Sequence, residues 1–434
     1  MSQATRSAPP KATASTQPMS PSPSEPARNP STGAVPGRDI PRQLGRLRLA
    51  VVAIALVFAA LTAFQLVLSH DAVLAAEKDT EQLVRVQDIK VNLLRADAVA
   101  TNAFLVGGLE PPEQRAVYDE SITAATRGIT EAAEAQPLDG AVLTELNQVL
   151  VDYTAGMAKA RANNRQGLPV GAGFLRSASA ELRTRGVALV DALVDANRAR
   201  ADASLNRQFP ILVALPGVAA LIVLILFNQW IARRFHRRIN TGIAGGFAAV
   251  LLLTILATAL SAVQVSENNR LRSGSYATAT TAADARSAAN AAKSNESLRL
   301  ISRGSGQEFE AAWALNAEVV NRAYATPEFR GVPRADWDDY VRGHQEIARL
   351  DDSGNWDGAV ALATGRGPDS PTTAFARFDT TLHQTIADAA GNTGRTLSRG
   401  SSLFLVAAGL TVLGGLAAAW LGWRGATARL KEYE

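Results

Sequence analysis

The sequence predicts an all-α integral membrane protein in which four transmembrane helices carry two four-helix bundles outside the membrane, as a tandem span–bundle–span repeat. Three observations predict it. Uncharged runs at 49–69, 209–232, 239–266 and 400–423 each reach the roughly 20 apolar residues that a bilayer requires. The segments between them show apolar residues at spacings of three and four, the period of a helix with one buried face. Strict two-residue alternation is nearly absent, and the chain is rich in the helix formers Ala, Leu, Glu and Arg.

Charge sets the expected orientation. Residues 1–48 carry a net +5, the loop 233–238 (Arg-Arg-Phe-His-Arg-Arg) +4 and the tail 424–434 +1, whereas 70–207 and 267–399 carry −4 and −2. Lys and Arg in short flanking loops stay on the cytoplasmic side. A multi-pass protein of the cell membrane follows, with both termini and the Arg-rich loop inside. The expected organisation is a disordered cytoplasmic tail at 1–46, where most of the chain's early prolines lie. Span one (47–69), a first bundle (70–208), span two (209–232), the Arg-rich loop (233–240) and span three (241–264) come next. A second bundle (265–400), span four (401–423) and a tail (424–434) complete it. The first apolar run is too long and begins too late for a cleaved signal peptide. Trp230, Trp420 and Trp423 fall at the inner ends of spans, where indoles favour the headgroup layer.

Breakers divide each outer segment. Gly107-Gly108-Leu109-Glu110-Pro111-Pro112, Gln136 to Gly140 and Asn163 to Pro169 separate helices near 70–106, 112–135, 139–163 and 170–208. In the second segment Arg303-Gly304, Thr326 to Pro333, Asp351 to Trp356 and Gly365 to Pro368 act alike. Core stripes run through Leu83, Val86, Ile89, Leu93, Ala96, Ala100 and Ala103; through Leu175, Ala178, Leu182, Gly186, Leu189, Leu193 and Ala196; and through Phe375, Phe378, Leu382, Ile386 and Ala389. The outer helices of each set are expected to continue unbroken into the spans, with Pro210 and Pro216 as points of flexure. Asp152-Tyr153, Gly156, Gly167 and Gly171-Ala172 recur 187 residues later as Asp339-Tyr340, Gly343, Gly354 and Gly358-Ala359, which points to duplication.

Catalytic constellations are missing: there is no Walker loop, GxGxxG, HExxH or GxSxG. With no Cys and four scattered His, no enzyme activity, cofactor or metal is expected, and no nucleic-acid partner. The spans carry no ionisable residue, which argues against a pump. The outer carboxylates read as solvated helix faces. Two groups stand out as speculative contacts. Asp351, Asp352 and Trp356, with Trp337, form an aromatic and acidic set suited to an outer partner; covering the end of a bundle core is the plainer use of such tryptophans. Arg233, Arg234, Arg237 and Arg238 suit membrane lipid or an inner partner. Small-residue faces near Gly245 and Gly414 suit close packing of spans.

The outer bundles resemble the four-helix sensor domains of bacterial chemoreceptors, without the HAMP and signalling coiled coil that should follow. The whole pattern of Pro/Ser-rich tail, four spans, two outer helical segments and the Arg-Arg-Phe-His-Arg-Arg turn is similar to the actinobacterial GlnX family over about residues 40–434. That resemblance implies a relay. An extracytoplasmic solute-binding lipoprotein, GlnH, senses aspartate, glutamate or glutamine, and its state passes to a cytoplasmic Ser/Thr protein kinase. The resemblance assigns no residue roles. A stand-alone chemosensor, favoured if Arg95 or Arg286 faces inward to a polar pocket, and a structural envelope scaffold are the alternatives.

Overall fold

The computed structural model describes residues 40–108, 110–235 and 241–430, and among these the protein is helical, with no strand. The tail over 1–39, most of the Arg-rich loop and residues 431–434 lie outside the described residues.

The first unit opens with α1 (Ile40–Val106), a single helix of 67 residues. It begins inside the segment expected to be a tail, because Pro41 suits the first helical turn, where a missing N–H costs nothing. Two left-handed glycines, Gly107 (φ 70°) and Gly108 (φ 63°), close it. Helix α2 (Pro112–Ala135) takes the bounds the breakers imply, and α3 (Gly140–Arg165) follows. Next come α4 (Val170–Glu181), a π-helical turn at Leu182–Gly186 and α5 (Val187–Leu205). The π turn inserts one residue into the helical repeat. The buried stripe therefore moves on by one, from the expected Leu189 and Ala196 to Val190 and Asn197, while Leu193 stays buried.

The apolar α6 (Pro210–Phe235) does not continue α5. The chain breaks over 206–209, since the residue before Pro210 is pushed out of the α region. Helix α7 (Thr241–Arg272) likewise stops at Ser273-Gly274 before α8 (Ser275–Ile301). The expectation of unbroken stalks thus holds for only half of them. The second unit continues with α9 (Gln307–Tyr324), α10 (Ala335–Asp352), the short α11 (Trp356–Thr364) and the 60-residue α12 (Pro371–Leu430). Four stretches, within α1, α6, α7 and α12, are long and apolar enough to cross a membrane. They share one end of the molecule, the apolar end.

The duplicated residues occupy matching places. Gly167 and Gly354 end α3 and α10 at φ 67° and 79°, and Tyr153 and Tyr340 are both fully buried on those helices. Gly156 and Gly343 let the following helix approach, since a Cβ there would strike Ala178 or Pro371.

The two units lie side by side rather than apart. α1 runs along both α8 and α12, and α8 is buried on every face from Ala285 to Leu300. Its small Ala and Ser side chains let neighbours close around it. A core of α1, α3, α4 and α5 residues reaches across to Tyr276, Leu298 and Leu397. At the apolar end, a methyl on Gly415 would overlap the Ala59 methyl, and the Arg48 guanidinium lies 3.2 Å over the Trp423 ring. Gly414 faces Leu253, and Gly245 approaches Leu421, so α12 packs on α7 as well as on α1.

Candidate functional site

At the end of the molecule remote from the apolar helices, α10 turns through Gly354 into α11, with the Asn355 side chain accepting from the Gly358 N–H. The expected outer contacts are built into this turn unevenly. Asp351 accepts from Arg299 Nε at 3.0 Å and is 13% exposed, while Asp352 accepts from Arg299 Nη2 and is 73% exposed. Trp356 is half-buried: its Nε1 donates to the Leu300 carbonyl at 2.9 Å, and Arg303 lies 3.9 Å over its ring. Trp337 is not at the tip. It is fully buried, 5.1 Å from Phe378 and 5.4 Å from Tyr340, and its Nε1 donates to Asn321. As placed in the structure it presents no surface to a partner, so its reading as an outer contact is corrected to a core role. At the opposite end Arg233 is exposed on the last turn of α6. The Arg234 side chain, Arg237 and Arg238 lie outside the described residues.

The carboxylates read as solvated faces include several that are buried, and here sequence reasoning missed the main feature. Glu296 of α8 is fully buried, accepts from Lys293 Nζ at 2.6 Å and lies 3.0 Å from His344 Nδ1 of α10. Trp313 of α9 stacks on the His344 ring at 3.7 Å and donates through Nε1 to the Tyr340 hydroxyl. Burial alone would raise the Glu296 pKa. The Lys293 ammonium and the His344 hydrogen bond outweigh it and hold the carboxyl at about 2. Burial works against a charged His344, but hydrogen bonds to Glu296 and Glu310 carry its pKa above the usual imidazole value. Burial, and then Glu296, push the Tyr340 hydroxyl far up. The first unit has a counterpart: Asp97 of α1, fully buried, accepts from Ser179 Oγ (2.7 Å), from Ser294 Oγ of α8 (2.6 Å) and more weakly from Tyr153 OH. Among the described residues no Lys or Arg pairs with it.

Arg286 does face inward, but not into an open pocket. It binds Asp379 through both Nε (2.8 Å) and Nη2 (2.9 Å), and Arg95 approaches the same carboxylate at 3.6 Å. Burial would raise the Asp379 pKa, and Arg286 overcomes this to lower it. The two arginines therefore close a seam between the units. The signal for these burials was present: in α8 the charged residues sit among Ala and Ser on all faces, a composition that lets helices close on every side.

An open pocket of about 310 Å³ lies elsewhere, between the ends of α1 and α3 and the start of α2, lined in part by Phe104, Glu110, Arg115, Met157, Arg161 and Arg165. Pro111 and Pro112 fix the chain beside it.

Residues 72–206 match the family model of an actinobacterial sensor domain. The match covers the polar half of α1 through α5, including the pocket and Asp97. No curated protein and no solved structure matches the chain. With the four apolar helices, the match supports a membrane sensor of the actinobacterial kind.

Proposed function

We propose that the protein is a transmembrane signal relay of the GlnX type. Its polar units stand outside the membrane and receive the state of an amino-acid-binding lipoprotein. Both termini and the Arg-rich loop are inside, where a Ser/Thr protein kinase takes the output. No step is catalysed by this chain. The observation that carries the reading is mechanical. Helices α1 (67 residues) and α12 (60 residues) run unbroken from the polar tip through the apolar end and pack on one another. At 1.5 Å per residue they span roughly 100 and 90 Å. The other two spans, α6 and α7, are jointed to their polar helices at 206–209 and 273–274. Two rods and two joints allow one pair to shift against the other, which is what a two-state relay requires.

The chain is free of cysteine, so a lock can be placed at one point. Ser275 Oγ and Thr393 Oγ1 are 2.8 Å apart, joining the α7–α8 joint to α12. A disulfide from Ser275→Cys with Thr393→Cys should freeze the output, on or off, and dithiothreitol should release it. A fully oxidised pair with normal switching would refute motion at this joint. Photo-crosslinking from positions near Asp352 and Arg233 in intact cells should capture a solute-binding lipoprotein and a kinase, respectively. Capture of neither overturns the assignment of partners.

A further inference from the structure

The pocket at the polar end of the first unit is lined by charged side chains whose hydrogen-bonding capacity is only partly used among the described residues. Arg161 Nε reaches Glu110 Oε2 at 3.2 Å and its guanidinium lies 3.9 Å over the Tyr118 ring. Its Nη2 is buried and makes no hydrogen bond. Glu110 Oε2 also faces Arg115 at 3.9 Å, but its Oε1 is buried and unpartnered. Arg165 lines the same space and is in no ion pair among the described residues. Buried polar groups are ordinarily hydrogen-bonded, so charged side chains with a spare donor and a spare acceptor at one cavity suit a polar ligand.

From this geometry we infer that the pocket binds a small organic acid bearing a donor on its α-carbon, an α-amino or α-hydroxy acid. The lining holds three arginines and one glutamate, so it favours an anion. The ligand carboxylate would take Arg161 Nη2 and Arg165, as planar carboxylates pair with guanidinium donors. The adjacent ammonium or hydroxyl would donate to Glu110 Oε1, the one unsatisfied anionic acceptor in the lining. A volume of about 310 Å³ sits at the low end of small-molecule sites, roughly 300–1,000 Å³. Residues next in sequence to the pocket lining touch the second unit. Gln114 Nε2 donates to Asn102, whose own amide donates to the Ala363 carbonyl of α11. Occupancy is thus read close to the tip turn that carries Trp356. The site would be a direct chemical input, separate from the lipoprotein proposed above.

The test uses the purified full chain in nanodiscs, with no partner added, so that its failure and the failure of the relay reading are distinguishable. Six probes are titrated at up to millimolar concentration by calorimetry and thermal shift: aspartate, malate and succinate, and alanine, lactate and propionate. The expected result is saturable binding and a raised melting temperature with an α-amino or α-hydroxy acid, and weaker binding of its plain analogue. Arg165→Ala, at an exposed site, should weaken binding roughly 10- to 100-fold, the worth of one charge-assisted hydrogen bond, with the unliganded melting temperature unchanged. Glu110→Gln should remove the preference over succinate or propionate. No binding by any of the six overturns the inference. So does equal binding of plain and α-substituted acids, or undiminished affinity in Arg165→Ala.

Discussion

Glu296→Gln removes one charge from the centre of the second unit while leaving the side chain's shape. Its consequence can be worked from the structure. The carboxyl is held at about 2 against an ordinary 4.5, a difference equivalent to about 3 kcal/mol of stabilisation of the charged form. The substitution also strands Lys293, which is 4% exposed and among the described residues otherwise reaches Thr372 Oγ1 at 3.3 Å and the Tyr340 ring. Breaking a buried pair from one side costs roughly 3–5 kcal/mol. The two routes overlap at a loss of about 3–4 kcal/mol, a fall in melting temperature of roughly 6–16 °C for a unit of this size. Thermal unfolding followed by tryptophan fluorescence reads it locally, since Trp313 stacks on His344. The pH dependence has a definite sign. The depressed Glu296 contributes stability that is full above 4.5 and is lost as pH falls toward 2. The raised His344 contributes stability that is full below 6.5 and is lost as pH rises through its folded pKa. The difference between wild type and variant should be widest between about pH 5 and 6.5 and narrow on both sides. Adding Lys293→Met should recover part of the loss, because the stranded charge is then gone. A loss under about 1 kcal/mol, or a gap that does not vary with pH, would refute the account of this cluster.

Trp337→Ala should destabilise the second unit by about 3–5 kcal/mol, as for a large buried aromatic, whereas Trp356→Ala should spare the fold and weaken lipoprotein capture by about 2 kcal/mol or more; circular dichroism beside pull-down separates them, and a folded Trp356→Ala chain with undiminished capture would remove the tip as a docking point. Gly415→Leu should force α1 from α12 at Ala59, costing about 1–3 kcal/mol and biasing the output, as read by the phosphorylation state of the kinase's substrate; wild-type switching would mean that contact is not part of the relay. Replacing Arg233, Arg234, Arg237 and Arg238 by Glu should disturb insertion of the second and third spans, measured with a reporter after Glu434, whose cytoplasmic behaviour in the wild type is itself the expected result.

Much of this architecture was legible because the chain marks its breaks. Pro137 and Pro112 bound α2, and Gly167 and Gly354, each inside a breaker stretch and at matching places in the repeat, end equivalent helices in left-handed conformations. What escaped the sequence was of two kinds. The π turn at Leu182–Gly186 carries no breaker residue of its own beyond Gly186, so a plain 3.6-residue count carried the stripe forward to Leu189 and Ala196 when the helix had slipped by one. The burial of α8 escaped because periodicity detects one apolar face, and a helix of Ala, Ser and paired charges buried on all sides has none. The pocket escaped for a related reason: Glu110, Arg115 and Arg161 are brought together by a loop and two helices, and nothing in their spacing says so.

Asp97 gives the seam between the units an unusual fastening. Among the described residues its carboxyl accepts from side-chain hydroxyls, Ser179 and Tyr153 from its own unit and Ser294 from the other. Hydroxyl bonds are directional and short in reach, unlike the pull of a buried cation, and each contributes about 0.5–1.5 kcal/mol. Sliding α1 along α8 by a single turn, roughly 5 Å, would carry the carboxyl out of hydrogen-bonding reach of Ser294. A small displacement is resisted and a large one meets no gradual fall in restraint. In the proposed relay such a joint would act as a detent: it would hold one register, release abruptly, and so favour discrete positions of the two units over a continuum between them.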